Sequence, residues 1–224
     1  MSMSQAEILP LYRKLRSAMK PLHHEMIRGL SRQTFVETGK ALGIYRRGTL
    51  VFDTEDESCV LMDQCLYDYR PHGTTAVERY LRDHPPPPDT NEHILLNAMV
   101  KARYSLFQVE SVERGLGLRT ADLLYGHGDF ILDQNLSQTV FPGFVIATRI
   151  IPLGGECFMT TGAGLPVEPD CLAQLLKSLN LDISKGAQAK RREDPRARFE
   201  LSTRIVRFLL RTGAAKSVAY ADVR

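Results

Sequence analysis

The chain has 224 residues, of which 43% are apolar and 25% are charged, and its formal net charge is +3. This composition is typical of a folded globular protein and excludes a mini-protein or a wholly disordered tail. At this length a folded chain buries about 70% of the surface that its unfolded form exposes, so one domain or two small ones need no disulfide or metal for stability.

No segment has the composition of a membrane span or of an export signal. The longest run without Asp, Glu, Lys or Arg is 134–148, and it contains Asn, Gln, Ser, Pro and Gly, whereas a span needs about 20 apolar residues. Arg13, Lys14 and Arg16 interrupt the apolar residues near the N-terminus, which is not the pattern of a secretory signal. We therefore expect a cytoplasmic protein without a cofactor, and we interpret its four cysteines, which form no CxxC pair, as reduced thiols.

Residues 1–103 are predicted to be helical. Apolar residues recur at three- and four-residue steps from Gln5 to Leu30. Pro10 and Pro21 lie within this pattern, and because an interior proline removes a helical hydrogen bond, we expect two shorter helices with a break near Lys20. Further helices are predicted at 32–42, around 53–69, at 76–83 and at 90–103, with a polyproline spacer at 85–88.

From Tyr104 onward the pattern changes to short runs rich in Val, Ile, Leu and Phe, which recur every eight to fifteen residues between Gly, Asn and Pro. They predict five strands over 104–166, arranged as an antiparallel meander or as an SH3-like, partly open barrel. The run 144–151 is largely apolar on both alternating faces, which indicates a central strand. Residues 167–224 are predicted to form C-terminal helices with a basic tail. The predicted fold class is therefore α+β, and we expect the three segments to form one compact unit.

The residues of this β-rich segment resemble those of a known module. The sequence of 112–126 is VERGLGLRTADLLYG, and it is followed by Asp133, Ser137 and the sequence PGFVIATR at 142–149. This pattern resembles a β-rich module of uncharacterised bacterial proteins, some of which carry a SEC-C zinc-binding motif. The likeness covers about Tyr104 to Leu165. The SEC-C cysteines are absent from this chain, so the resemblance implies a fold, with neither a zinc site nor an activity.

Two groups of residues suggest an enzymatic alternative. Asp53, Asp56 and Glu57 could hold a divalent cation, which binds carboxylate oxygens, or could stabilise the positive end of a helix dipole. Arg79 and His84 are spaced as in helical ribonucleases of the HEPN class, although His84 adjoins the proline run, where a helix end is expected. The alternative function is thus a metal-dependent or HEPN-like nuclease or hydrolase that uses Arg79 and His84 or the carboxylates between residues 53 and 63.

The net charge is unevenly distributed along the chain. Residues 182–224 contain eleven Lys or Arg and five Asp or Glu, a net +6, so residues 1–181 carry −3. On a helix Arg196, Arg207 and Arg211 share one face, with Arg204 nearby, and such a stripe suits phosphates. The same helix could instead pack on the acidic body through ion pairs, or bind an acidic protein or a membrane surface, because guanidinium groups bind carboxylates as well as phosphates.

The sequence therefore predicts a non-enzymatic binding or adaptor protein that engages an anionic partner, a nucleic acid or an acidic protein surface. The position of the C-terminal arginines decides between this function and a structural role. An exposed patch favours an anionic partner, whereas pairing with acids of the body favours packing. The predicted anion-binding residues are Lys190, Arg191, Arg192, Arg196, Arg204, Arg207 and Arg211.

Overall fold

The structure is a computed structural model that describes residues 5–180 and 195–214. It confirms the α+β class, with helices packed on a small closed barrel of five strands. None of the helices in these two ranges combines the length and the apolar character that crossing a membrane requires.

The N-terminal segment forms one long helix, α1 (Gln5–Arg28), that contains Pro10 and Pro21. The expected break near Lys20 is therefore wrong. The amide that Pro21 lacks would have bonded to the carbonyl of Ser17, and both residues are exposed, so water can hydrate that carbonyl. The apolar face of α1 stays buried along its length, and its packing stabilises the uninterrupted helix.

Hydroxyl side chains cap the next four helices. Each capping oxygen accepts a hydrogen bond from the backbone amide three residues later, which satisfies a donor that the helix leaves unpaired. A two-stranded hairpin of β1 (Tyr45–Arg46) and β2 (Thr49–Leu50) joins the first two of these helices. The helices and their caps are α2 (Arg32–Leu42) with Ser31, α3 (Glu55–Tyr67) with Thr54, α4 (Ala76–Asp83) with Thr75, and α5 (Asn91–Met99) with Thr90.

The barrel strands are β3 (Arg103–Glu113), β4 (Gly117–Asp122), β5 (Gly128–Leu132), β6 (Val145–Gly154) and β7 (Cys157–Thr160). β3 pairs with both β4 and β6, so the order β3-β4-β5-β7-β6 closes on itself. The pairs are antiparallel except β5 with β7, which is parallel. This arrangement differs from a simple meander because β6 follows β5 in the chain yet pairs with β3 and β7 instead.

Helices cover the barrel through two large apolar clusters. One cluster packs α1, α4 and α5 on β5, β6 and β7. The other packs α2, α3 and two C-terminal helices, α7 (Pro169–Ser178) and α8 (Pro195–Arg211), on β3 and β6. The residues of β6 from 145 to 151 are all buried, as expected for a central strand. Three short elements complete the described fold: a 3₁₀ helix (Pro71–Gly73) before α4, α6 (Leu136–Thr139) before β6, and β8 (Leu165–Pro166) paired with β6.

Candidate functional site

A buried guanidinium on β6 joins four parts of the fold. Arg149 is 2% exposed, and its Nε donates to Asp63 Oδ2 of α3 at 2.9 Å while its Nη2 donates to Asp68, which ends α3. Asp63 also accepts a hydrogen bond from Thr161 Oγ1 at 2.8 Å, and Asp68 accepts one from Ser202 Oγ of α8 at 2.8 Å. We refer to these five residues as the Arg149 cluster. It links β6 to α3, to the segment after β7 and to α8.

Burial and charge act against each other within the Arg149 cluster. Burial raises the pKa of the Asp63 carboxyl, and the guanidinium of Arg149 opposes that shift. Burial alone would lower the pKa of Arg149, but the two carboxylates raise it above its ordinary value. Arg149 therefore stays charged, and it holds the carboxylates in place.

Two tyrosine rings lie against the Arg149 guanidinium. Its central carbon is 4.9 Å from the ring centroid of Tyr67 and 5.4 Å from that of Tyr104, which are distances for cation–π attraction. The Tyr67 hydroxyl forms a 2.7 Å hydrogen bond with His23 Nε2 of α1. The Tyr104 hydroxyl is buried and has no hydrogen-bond partner among the described residues.

A second buried ion cluster lies at the start of β3. Arg103 Nη1 donates to Asp122 Oδ2 at 3.2 Å, and its Nη2 donates to Asp129 Oδ2 at 2.5 Å. Asp122 Oδ1 accepts the hydroxyl of Ser105 and the backbone amide of Tyr125 in the turn after β4. Burial raises the pKa of Asp129, and Arg103 opposes the shift. This Arg103 cluster repeats the composition of the first, one guanidinium with two carboxylates.

Residues of both clusters line a cavity of about 120 Å³, which we call the charged cavity. Its wall contains guanidinium groups and carboxylates together, and one such pair, Arg70 with Glu78, is in direct contact at 2.9 Å. Three phenols and a short apolar segment complete the wall. The charged residues are Arg70, Arg103, Arg149, Arg198, Asp68 and Glu78, the phenols are Tyr67, Tyr104 and Tyr125, and the apolar residues are Met99, Val100 and Ala102.

Three of the C-terminal arginines that the structure describes lie on the outer face of α8. Arg204, Arg207 and Arg211 are exposed, and at 100° per residue they fall within about 60° of arc. None of the three forms an ion pair with another described residue. Arg204 Nη2 donates to the carbonyl of Ser178 at 3.2 Å. We call these three residues the α8 arginine face. Lys190, Arg191, Arg192 and the side chain of Arg196 lie outside the described residues.

The structure does not bring Arg79 and His84 into contact. Arg79 Nη1 donates at 2.7 Å to the carbonyl of Thr74, which precedes α4. His84 follows the last residue of α4, and its ring stacks on Tyr80 with 5.0 Å between centroids. The two side chains are therefore held at opposite ends of a helix about 12 Å long.

The acidic residues proposed as a metal site have other partners. Glu57 is buried, and its Oε2 accepts the backbone amide of Asp53 at 2.7 Å, while its own amide donates to Thr54. Asp63 belongs to the Arg149 cluster. Within residues 5–180 and 195–214, no three His, Cys, Asp or Glu side chains are grouped to hold a metal ion.

The two ion clusters are the features that sequence reasoning missed, although one signal was present. Arg149 is the one charged residue in the apolar run 144–151. An arginine in a strand that is apolar on both faces must be buried, and a buried charge requires partners. The identity of those partners depends on the fold.

The fold and the clusters define an α+β protein built on a small closed barrel and stabilised by buried Arg–Asp ion clusters. Residues 6–200 match the family model of a family of unknown function, DUF7986, and the chain belongs to that family. No curated protein and no solved structure matches the chain. The resemblance to the SEC-C-associated module stays a prediction.

Proposed function

We propose that the protein is a non-enzymatic binding protein whose α8 arginine face binds the phosphate backbone of a nucleic acid. The observation that supports this proposal is the exposure of Arg204, Arg207 and Arg211 without ion pairs among the described residues. The opposite face of α8 is anchored in the core by residues such as Ile205 and Leu209, which are fully buried. A helix held in this way presents its arginines on a rigid support.

Charge density favours a nucleic acid over an acidic protein surface. The α8 arginine face extends about 10 Å along the helix, at a rise of 1.5 Å per residue. Duplex DNA carries one negative charge per about 1.7 Å of its axis, so several phosphates lie opposite such a stripe. The chain segment that precedes α8 adds Lys190, Arg191 and Arg192 to the same region of the sequence.

The composition of the α8 arginine face indicates contacts to the backbone without base recognition. The chain contains no Trp, and the face includes no aromatic residue, so stacking of bases on aromatic rings has no support. Contacts to phosphates are independent of sequence and depend strongly on salt. We therefore expect similar affinities for unrelated nucleic acid sequences of the same length.

The proposal is tested by measuring the affinity for a generic 20-base-pair duplex and a single strand of the same length at 50 and 200 mM salt. Three phosphate contacts with the duplex give a slope of log K against log salt of about −2.7, a loss of affinity of about 40-fold over this range. Replacement of Arg204, Arg207 and Arg211 by Glu is expected to weaken binding at least tenfold, since it replaces attraction by repulsion.

The matched control places the same change of charge on another helix. Arg13, Lys20 and Arg28 are exposed on α1, and their replacement by Glu is expected to leave most of the affinity intact. Three outcomes would contradict the proposal. They are an affinity that does not respond to salt, equal losses of affinity in the two triple variants, and no binding to either nucleic acid at 50 mM salt. Binding of the wild type to an acidic protein alone would also contradict it.

A further inference from the structure

The charged cavity contains hydrogen-bonding groups that the fold itself does not use. Tyr104 is 7% exposed, and its buried hydroxyl has no partner among the described residues. The hydrogen bonds of Arg149 to described residues use Nε and Nη2, and those of Asp68 use Oδ2. Arg149 Nη1 and Asp68 Oδ1 are therefore available to a ligand, one as a donor and the other as an acceptor.

An unpartnered buried hydroxyl is costly to a folded protein, because it has lost its hydrogen bonds to water. A ligand bound in the adjacent cavity would supply the missing hydrogen-bond partner and so remove this cost. The Tyr104 hydroxyl can both donate and accept, so either end of a polar ligand satisfies it. Its position on β3, beside Arg103 and against the Arg149 guanidinium, places it in a wall that both ion clusters share.

We propose that the charged cavity binds a small zwitterion of the α-amino-acid type, a function that is independent of the α8 arginine face. The ligand carboxylate would be bound by guanidinium groups such as Arg149 and Arg103. Its ammonium group would be bound by Asp68 and by the Tyr104 oxygen. A cavity of about 120 Å³ corresponds to roughly four water volumes, which suits a compact molecule.

The charge balance of the walls favours a zwitterion over a simple anion. Each cluster already contains one guanidinium and two carboxylates, and Arg70 is paired with Glu78. The wall itself contains four guanidinium groups and two carboxylates, and the three other aspartates of the clusters raise the carboxylates to five. A bare anion would therefore add negative charge to a group of residues whose net charge is already −1. A bare cation would bind to Asp68 but would leave the donors of Arg149 without an acceptor. A zwitterion adds no net charge and pairs with both kinds of group.

One side of the charged cavity is suited to a small side chain. Met99, Val100 and Ala102 supply the apolar part of its wall at the end of α5. A ligand bound by its charged groups near Asp68 and Arg149 would direct an aliphatic group towards this segment. We therefore expect small aliphatic amino acids to bind more tightly than acidic or basic ones, whose side chains bring an additional charge.

The experiment is a calorimetric titration of the full chain, supported by thermal unfolding, with the twenty α-amino acids. The matched probes for valine are isobutylamine, which lacks the carboxylate, and 3-methylbutanoate, which lacks the ammonium group. Inorganic phosphate is the probe for a simple anion. We expect at least one small aliphatic amino acid to bind and to raise the unfolding temperature. The two single-charge analogues and phosphate are expected to bind at least tenfold more weakly.

A tyrosine variant separates binding from folding. Tyr104→Phe removes only the hydroxyl, which makes no hydrogen bond in the described fold, so the variant is expected to fold with an unchanged or higher unfolding temperature. Its affinity for the amino acid is expected to fall about tenfold. Tyr45→Phe removes the same atom from β1, whose Tyr45 does not line the charged cavity, and is expected to bind like the wild type.

Several outcomes would overturn the inference. They are the absence of binding by every amino acid at millimolar concentration, equal binding of the carboxylate or phosphate probes, and an unchanged affinity of Tyr104→Phe. The nucleic acid measurements use a different surface and different variants, so failure of one proposal leaves the other standing.

Discussion

Arg149 stabilises the fold because its guanidinium donates hydrogen bonds to two carboxylates, those of Asp63 and Asp68. Taking a guanidinium and two carboxylates out of water is costly, and the cost is offset only while all three groups are paired. Asp63 and Asp68 each have a second donor, from Thr161 and Ser202, which satisfies part of the remaining acceptor capacity. Removal of the guanidinium would leave two carboxylates buried at 5% and 7% exposure with hydroxyl donors alone.

Replacement of Arg149 by Met is therefore expected to destabilise the protein severely. Met fills most of the volume but supplies no charge, so the free energy of unfolding should fall by about 3–5 kcal/mol. Urea denaturation at pH 7 measures this quantity. Arg119→Met is the control in the same barrel, because Arg119 is exposed and pairs with Glu113 at 3.6 Å, a surface contact worth at most about 1 kcal/mol. Equal losses in the two variants would contradict a special role for the buried cluster.

The contrast between helix caps and ion clusters shows which residue roles a sequence reveals. Ser31 and Thr75 were predictable as caps because a cap bonds to an amide three residues away. The partners of Arg149 lie 86 and 81 residues before it in the chain. No local pattern specifies such pairs, so the partners of Arg149 and the position of Tyr104 beside it became recognisable only once the barrel was assembled.

At the scale of elements, the pairing of β4 with β5 depends on a glycine. A Cβ atom on Gly117 would lie 2.3 Å from the backbone oxygen of Ile131, which is closer than any real contact. Gly117 pairs with Leu132, and the crowding atom belongs to the backbone, so relief requires the two strands to separate. The absence of a side chain at Gly117 therefore allows the backbones of β4 and β5 to approach closely at this end of the pair.

Gly117→Ala is expected to lower the free energy of unfolding by about 1–3 kcal/mol, the usual cost of inserting an atom where there is no space. Thermal or urea unfolding measures the change. Gly128→Ala is a matched control at the first residue of β5, where a Cβ atom meets nothing within 4 Å, and its effect should stay within about 0.5 kcal/mol. A tolerated Gly117→Ala would show that the strands can adjust.

The elements themselves were largely predictable, and their arrangement was less so. The strand and helix positions after Tyr104 follow from local apolar runs and turn residues, and the structure places strands in all five runs. The expected break of α1 near Lys20 was wrong because tertiary packing of a continuous apolar face outweighs the one hydrogen bond that Pro21 removes. The parallel pairing of β5 with β7 was unpredictable because it depends on closure of the barrel.

At the scale of the whole molecule, the uneven charge of the chain has a structural counterpart. The Arg149 cluster joins helices to the barrel and the Arg103 cluster joins three barrel strands, whereas the α8 arginine face points outward without ion pairs among the described residues. Charges that stabilise the fold are thus separated in space from those proposed to bind a partner. Salt is therefore expected to weaken nucleic acid binding strongly and folding stability only slightly, because buried pairs are screened far less than exposed groups.

The stability of the whole fold is expected to depend on pH through His23, which joins α1 to α3. Burial, assisted by the charge of Arg16, lowers the pKa of His23 from its ordinary 6.5 to about 4. The unfolded chain therefore takes up this proton first as the pH falls. The stabilising contribution is complete above pH 6.5 and is lost as the pH falls towards 4, so it should decrease by about 2–3 kcal/mol between pH 7 and 4.5.

His23→Gln isolates this contribution, because glutamine can still bond to the Tyr67 hydroxyl but does not titrate. Urea denaturation at pH 7 and at pH 4.5 should show that the variant loses about 2–3 kcal/mol less than the wild type between the two values. Asp63 and Asp129 have raised pKa values, so their contributions change in the opposite direction, being present at low pH and lost as the pH rises. These aspartate contributions are the same in the wild type and in the variant, so they cancel in the difference between the two proteins.

His24→Gln, at the exposed neighbouring position, is the control and should keep the pH profile of the wild type. An equal change in both variants would assign the effect to helix α1 in general.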